Sequence, residues 1–209
     1  MPFVQNTSPD DAAGLDLRPP SLDDPDPSAR RDAALAAADD PGTVAALAER
    51  LTVETEPFVR SALFAALTRI GTGAALDAML PCLASEDAGL RNAAVEAAQA
   101  MPGPVAERIG ALLSDPEPDL RIFALDILQD LPHPDAPDWL AELIAHEDDP
   151  NVIGAAIDRL AECARPEMAP AIRAVRARFA DVSYLRFACD FALERLGLPP
   201  DDPDGGRHA

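Results

Sequence analysis

A five-residue pattern recurs along the chain: an acid, a proline, any residue, an apolar residue and an arginine. The last position of the pattern falls at Arg30, Arg60, Arg91, Arg121, Ile153 and Arg186. These positions lie 30 to 33 residues apart, and isoleucine replaces the arginine in the fifth copy. A regular period of this length is typical of repeat architectures, in which similar units stack and share one core.

Each unit is predicted to contain two helices. The acid of the pattern should cap the first helix, and proline is tolerated at the first helical position. Apolar residues then recur at helical spacing, and a second apolar stripe follows a turn that contains Gly or Pro. Pro81 falls inside the second helix of its unit and is expected to kink it. With 48% hydrophobic but only 4% aromatic residues, the chain is predicted to be all-α.

The repeated D-P-x-V/L-R opening and the Ala/Leu periodicity resemble the HEAT-repeat family, specifically the short HEAT-like repeats of the phycobilisome-lyase type. The resemblance covers about residues 25 to 197. It implies a right-handed α-α superhelix of about five and a half repeats. The first helices would line the convex face and the second helices the concave face. Members of this family commonly bind other proteins and are rarely catalysts.

The repeats define the domain organisation. Residues 25–198 are predicted to form one solenoid. Residues 1–24 and 199–209 are rich in Pro and Asp and lack periodicity, so both are predicted to be disordered tails.

The charge of the chain excludes several classes of partner. There are 37 acids against 17 basic residues, all arginine, for a net charge of −20. So acidic a chain should repel nucleic acids and anionic membranes. We found no apolar run of about 20 residues and no secretion signal, so we expect a soluble, cytoplasmic monomer without a membrane segment.

The recurring arginines have a structural interpretation. Because guanidinium groups match carboxylate geometry, we expect them to form a ladder of ion pairs and hydrogen bonds between stacked repeats. We call them the ladder arginines: Arg30, Arg60, Arg91, Arg121 and Arg186.

The candidate binding site lies where the pattern fails, around Ile153. The only tryptophan, Trp139, precedes this position, and a cluster of arginines follows it. Tryptophan and arginine are favoured interface anchors, so a concave surface that holds an acidic or amphipathic partner segment is predicted here. The candidate residues are Trp139, Glu142, Arg173, Arg176, Arg178 and Arg108.

Two functions remain open at this point. The first is a non-enzymatic scaffold or adaptor that binds another protein. The second, implied only by the resemblance, is a lyase-like or chaperone-like factor for a bilin or another prosthetic group. No catalytic residues, cofactor or metal are predicted: one His-Glu pair, His146–Glu147, is too few for a di-iron site, and no nucleotide-binding motif occurs.

Overall fold

The computed structural model describes residues 21–131 and 133–199. Within these ranges the chain forms twelve α-helices and no strand, which confirms the predicted all-α class. The helices are α1 (Pro27–Ala36), α2 (Val44–Val53), α3 (Pro57–Ile70), α4 (Gly73–Met79), α5 (Ala88–Gln99), α6 (Pro102–Ala106), α7 (Ile109–Leu113), α8 (Pro118–Gln129), α9 (Ala136–His146), α10 (Pro150–Cys163), α11 (Ala169–Arg178) and α12 (Ser183–Arg195). Short 3₁₀ segments lie at Ala37–Asp39, Pro41–Thr43, Leu80–Ala84 and Pro166–Met168.

The helices form two layers. The first helices of the repeats (α1, α3, α5, α8, α10 and α12) pack side by side in chain order and make the first-helix layer. In the second-helix layer, α2 packs on α4, α4 on α6, and α9 on α11. The helices α6 and α7 together occupy the place of the second helix in repeat three. The chain is therefore a solenoid of five two-helix repeats followed by the single helix α12.

The buried apolar side chains form one continuous core that extends from α1 to α12. Three residues after the ladder position, the last four helices of the first-helix layer carry small side chains that are at most 2% exposed. Small residues here let neighbouring helices approach closely. They are Ala94, Ala124, Ala156 and Cys189.

The capping of the first helices depends on which acid precedes them. Asp26, Asp87 and Asp149 each accept the backbone N–H two residues later, at 2.8 to 3.0 Å. Glu56 and Glu117 occupy the same position but make no capping hydrogen bond. The prediction that every acid caps is therefore wrong for the glutamates. Their extra methylene group is unfavourable for this short local bond, for which Asp, Asn, Ser and Thr are the preferred residues.

Two further predictions require correction. Pro81 does not kink a continuous helix; α4 ends at Met79, and Pro81 lies in the 3₁₀ segment that follows. At the N-terminal end, residues 21–24 belong to the folded body rather than to a tail. Leu22 packs against the core, and the carbonyl of Asp24 accepts a 2.9 Å hydrogen bond from Arg30. The rest of the predicted tails, residues 1–20 and 200–209, lies outside the described residues.

Candidate functional site

The ladder arginines share one backbone contact. Each donates to the carbonyl oxygen six residues before it, in the loop that leads into its own helix. The five bonds measure 2.7 to 3.3 Å. They run from Arg30 to Asp24, Arg60 to Glu54, Arg91 to Ser85, Arg121 to Asp115 and Arg186 to Ala180.

The residue six positions before the ladder position also organises the loop through its side chain. In the first five repeats this side chain accepts the N–H of the residue two positions later, which directly precedes the helix, at 2.8 to 3.1 Å. Each loop is thereby held through both the backbone carbonyl and the side chain of one residue. We call these residues the loop acceptors: Asp24, Glu54, Ser85, Asp115 and Glu147.

Two loop acceptors also form ion pairs across repeats, one buried and one partly buried. Arg30 and Glu54 make a bidentate pair at 2.8 and 3.0 Å, and Arg121 and Glu147 make one at 2.6 and 2.9 Å. The hydrogen bond from Arg30 lowers the pKa of Glu54 to about 2, although burial opposes the shift. Burial acts to raise the pKa of Glu147, but the hydrogen bonds from Arg121 and the backbone outweigh it and keep that pKa low.

The fifth repeat replaces its missing ladder arginine with a residue from another helix. Ile153 is fully buried in the core. Arg178, from α11, instead donates to the carbonyl of Glu147 at 2.7 Å, which is the bond that a ladder arginine at position 153 would make. Arg178 also caps the end of α9 through the carbonyls of Ile144 and Ala145, at 2.9 and 3.1 Å. This predicted partner-binding residue is therefore engaged within the chain.

Arg173 and Arg176 are also engaged within the chain. Arg176 forms an ion pair with Asp190 of α12, with 2.5 Å between Nε and Oδ1. Arg173 donates to the carbonyl of Pro199 at 3.3 Å. Both arginines therefore hold the C-terminal helix and the segment after it against α11. The sequence indicated a binding surface because arginines outnumber acids in this segment. The partners of Arg173 and Arg176 lie 26 and 14 residues further along the chain.

Arg108, the fourth predicted binding arginine, links two repeats. It lies between α6 and α7 and makes a bidentate ion pair with Asp77 of α4, including a 2.8 Å Nη2–Oδ2 contact. The hydrogen bond from Arg108 lowers the pKa of Asp77. The guanidinium lies directly on Gly73, where any side chain would collide with it. Arg108 therefore joins the second helices of repeats two and three.

A groove opens in the second-helix layer between repeats three and four. Its volume is about 640 Å³, and its walls come from α7, from α9, from the loops that follow them and from Arg121 of α8. Elsewhere in the described part of this layer, neighbouring second helices pack closely, but α7 and α9 are not among the closely packed pairs. The lining includes the predicted residues Trp139 and Glu142 but none of the four predicted arginines.

The break in the second helix of repeat three explains this opening. The helix α6 ends at Ala106, after five residues, and the helical path resumes only at Ile109. Gly110, on α7, lines the groove, and nothing lies within 4 Å of the position that its Cβ would occupy. A short helix with a glycine at the wall leaves space that a longer helix with larger side chains would fill.

The groove is acidic. Five carboxylates line it, and one of them, Glu147, is neutralised by Arg121. Glu142 and Asp148 are exposed and make no ion pair with any residue that the structure describes. The remaining two carboxylates belong to Asp115 and Asp149. The sequence run H-E-D-D at 146–149, directly after the helix of Trp139, was the available signal for this charge.

Trp139 forms the aromatic wall of the groove. It is half-buried and stacks on His133, with 4.6 Å between the ring centroids. His146 lies on the same wall, and its Nδ1 is 3.1 Å from the carbonyl oxygen of Glu142. The groove thus combines a flat aromatic surface with exposed carboxylates. This combination suits a cation with an apolar stem, such as an arginine or lysine side chain.

The described residues contain no cluster of metal-ligating side chains. No group of three or more His, Cys, Asp or Glu side chains converges as a metal site within residues 21–131 and 133–199. Cys189 is buried, which raises the pKa of its thiol to about 12. Over the same ranges, no helix has the length and apolar character that crossing a bilayer requires.

The comparison with protein families agrees with this architecture. The family profile for HEAT repeats matches residues 19–99 and 105–194. No curated protein matches the chain. One similar solved structure is the crystal structure of an engineered protein, with 17% identity, a TM-score of 0.41, and coverage of 84% of this chain and 93% of that one. The family match spans most of the chain, so the protein belongs to the HEAT-repeat family.

Proposed function

We propose that this protein is a non-enzymatic scaffold that binds a basic segment of a partner protein in the groove between repeats three and four. The observation that carries the proposal is the pairing of Trp139 with exposed carboxylates in a 640 Å³ groove. HEAT solenoids generally serve as interaction surfaces, so the fold supports a binding role.

The charge of the groove favours a basic partner segment over the acidic or amphipathic one expected from the sequence. That expectation rested on Arg173, Arg176 and Arg178, which all bind groups of the chain itself. Glu142 and Asp148 are exposed and can pair with incoming cations. The net charge of −20 also attracts a basic segment over longer distances.

The prosthetic-group alternative receives less support. Bilins and haem carry propionate groups, which the carboxylates of this groove would repel. We therefore favour the scaffold. Its occurrence as a cytoplasmic protein remains part of this proposal, as does the relation to the phycobilisome-lyase type of repeat.

Trp139 provides a direct test because it is the only tryptophan of the chain. An Arg/Lys-rich peptide should change its fluorescence on titration, whereas an acidic peptide of equal length should not. The affinity should fall as NaCl is raised from about 0.05 to 0.3 M, since screening weakens exposed charge pairs.

Variants locate the binding. The double variant Glu142→Gln/Asp148→Asn should weaken the basic peptide about tenfold, whereas Glu49→Gln, an exposed acid on α2, should leave binding unchanged. Gly110→Leu should block the groove, because the new side chain enters open space. The proposal fails if no basic peptide binds, or if the groove variants and Glu49→Gln have equal effects.

A further inference from the structure

The last helix carries an exposed aromatic stripe. Tyr184, Phe187 and Phe191 of α12 are 51%, 73% and 46% exposed. Their spacing of three and four residues places them on one face of the helix. The whole chain has only nine aromatic residues, so three of them exposed on one helix is a marked concentration.

The repeat register indicates that the fold itself does not require this stripe. The three side chains lie two residues before the ladder position and one and five residues after it. Among the other first helices, none carries more than one large apolar residue at these positions. The equivalent residues are Ser28, Arg31 and Leu35; Phe58, Ser61 and Ala65; Gly89, Asn92 and Glu96; Asp119, Ile122 and Asp126; and Asn151, Gly154 and Asp158.

A groove lies beside the stripe, between α10 and α12. It has a volume of about 410 Å³. Its lining includes small residues, Gly154 and Ala155 of α10 and Ala188 of α12, next to the aromatic side chains. A Cβ on Gly154 would lie 3.3 Å from the ring of Tyr184, so the glycine lets this ring pack closely against α10. The surface thus presents a protruding aromatic side chain, Phe187, next to a mainly apolar hollow whose lining also includes Asn151 and Asp158.

A projection next to a matching hollow is the geometry of a surface that binds a copy of itself. In a two-fold dimer the same patch meets itself, so the Phe187 side chain of each copy can enter the hollow of the other. Phe187 lies near the middle of the stripe, between Tyr184 and Phe191. An antiparallel crossing of two α12 helices therefore brings aromatic residues together along its length.

The local charge permits this contact even though the whole chain is strongly acidic. On α12, the charges of Arg186 and Arg195 balance those of Asp190 and Glu194. Arg195 lies over the ring of Phe191, with 5.9 Å between its guanidinium carbon and the ring centroid. Asp158 of α10, which lines the groove, adds one carboxylate, so the interface region is close to neutral on a chain whose net charge is −20. The opposing force in self-association is the long-range repulsion between two acidic bodies.

We propose that the α12 stripe and the α10–α12 groove form an isologous dimer interface, which departs from the monomer expected from the sequence. The three aromatic residues expose about 300 Å² of apolar surface. Stable dimers bury about 800 Å² per partner, so the contact must extend onto neighbouring residues of α10 and α12. A reversible dimer with a dissociation constant of about 10 to 100 µM is the expected outcome.

Sedimentation velocity over a concentration series tests the interface. The full chain should dimerise, and more strongly at higher NaCl, because salt screens the repulsion between the acidic copies. Phe187→Ser should weaken the dimer at least about tenfold. Phe58→Ser is the matched control. Phe58, on α3, occupies the repeat position that Tyr184 occupies on α12, and it is 45% exposed. It should leave the dimer unchanged.

Other occupants of the stripe predict different results. A chain that stays monomeric at about 300 µM in both low and high salt overturns the proposal. This is also the result expected if another part of the same chain covers the stripe. Equal weakening by Phe58→Ser and Phe187→Ser also overturns it. A dimer that forms but is not weakened by Phe187→Ser would place the interface elsewhere and also overturns the proposal.

Discussion

The loops before repeats two and five have the same architecture but different sources for one bond. In both, a buried glutamate, Glu54 or Glu147, accepts a bidentate pair from the ladder arginine of the preceding repeat and two backbone N–H groups. The carbonyl of Glu54 binds Arg60, from the helix that follows it. The carbonyl of Glu147 binds Arg178, from the next helix but one.

The comparison indicates that the loop requires a hydrogen bond to the glutamate carbonyl but does not require that the donor come from the ladder position. A buried carbonyl needs a donor, and any arginine that reaches it satisfies the need. The loops also differ in strength, because Glu54 binds a second arginine, Arg50, at 2.9 Å. The residue that corresponds to Arg50 in the other loop is Leu143.

Removing the two glutamates should have the largest effect. Glu54→Gln leaves the buried Arg30 without its carboxylate, so we expect a loss of about 3 to 5 kcal/mol in the free energy of unfolding at pH 7. Glu147→Gln should cost less, about 2 to 3 kcal/mol, because Glu147 is 8% exposed against 2% for Glu54 and binds one arginine fewer.

Urea unfolding followed by circular dichroism measures both losses. Glu49→Gln, on the exposed side of α2, is the control and should change the free energy by less than about 0.5 kcal/mol. Equal losses in the two glutamate variants would contradict the difference drawn between the loops.

Acid should reveal the same difference as a shift in pH. The folded-state pKa of Glu54 is about 2, below the ordinary value of 4.5. A lowered pKa stabilises the fold fully above pH 4.5, and the contribution is lost as the pH falls towards 2. The gap between wild type and Glu54→Gln should thus shrink by up to about 3 kcal/mol over this window.

The pKa of Glu147 is also lowered, but burial opposes the shift more strongly. The gap between wild type and Glu147→Gln should therefore be smaller and close at a higher pH than the gap for Glu54→Gln. Urea titrations at several pH values between 7 and 2 measure both gaps. A gap for Glu54 that stays constant down to pH 2 would contradict the link between its pKa and stability.

Whether Arg178 replaces the ladder arginine can be tested by restoring an arginine at position 153. Arg178→Met should cost about 2 kcal/mol, since it removes charged donors from three carbonyls. In wild type, Ile153→Arg should also destabilise, because it removes a fully buried core side chain and competes for an occupied carbonyl. In the Arg178→Met background, the new arginine can donate to the freed carbonyl of Glu147.

A double-mutant cycle measures this coupling. We expect Ile153→Arg to cost about 1 kcal/mol less in the Arg178→Met background than in wild type. Additive effects would mean that Arg178 does not stand in for the ladder position.

These loops also mark how far the sequence alone could predict the structure. The repeat register predicted the solenoid and the positions of the first helices, because both depend on local spacing. It could not identify Arg178, since a donor from α11 reaches the loop only after the chain has folded back. The same folding engages Arg173 and Arg176, so their apparent excess of charge was a misleading signal for the binding site.

For the groove, two of the lining residues were predicted from the sequence, but the opening itself was not. Trp139 and Glu142 were predicted from their position beside the irregular fifth repeat, and the structure places both in the groove. The opening itself depends on the interruption between α6 and α7 in the preceding repeat. No local pattern in the sequence indicated that two second helices would fail to pack there.

The smallest predicted effect concerns the helix starts of the two loops. The backbone at Glu56 (φ −78°, ψ 118°) matches that at Asp149 (φ −75°, ψ 120°), but only Asp149 makes the capping bonds. Glu56→Asp should therefore stabilise the fold by about 0.5 to 1 kcal/mol, because the shorter carboxylate can reach the free N–H groups of α3. Asp149→Ala should cost about 1 kcal/mol, whereas Glu56→Ala should have almost no effect.

Urea unfolding of the three variants measures these differences, and Glu117→Asp, at the uncapped start of α8, repeats the gain independently. If neither aspartate stabilises the fold, the side-chain length of the acid is not what distinguishes the two loops at their helix starts.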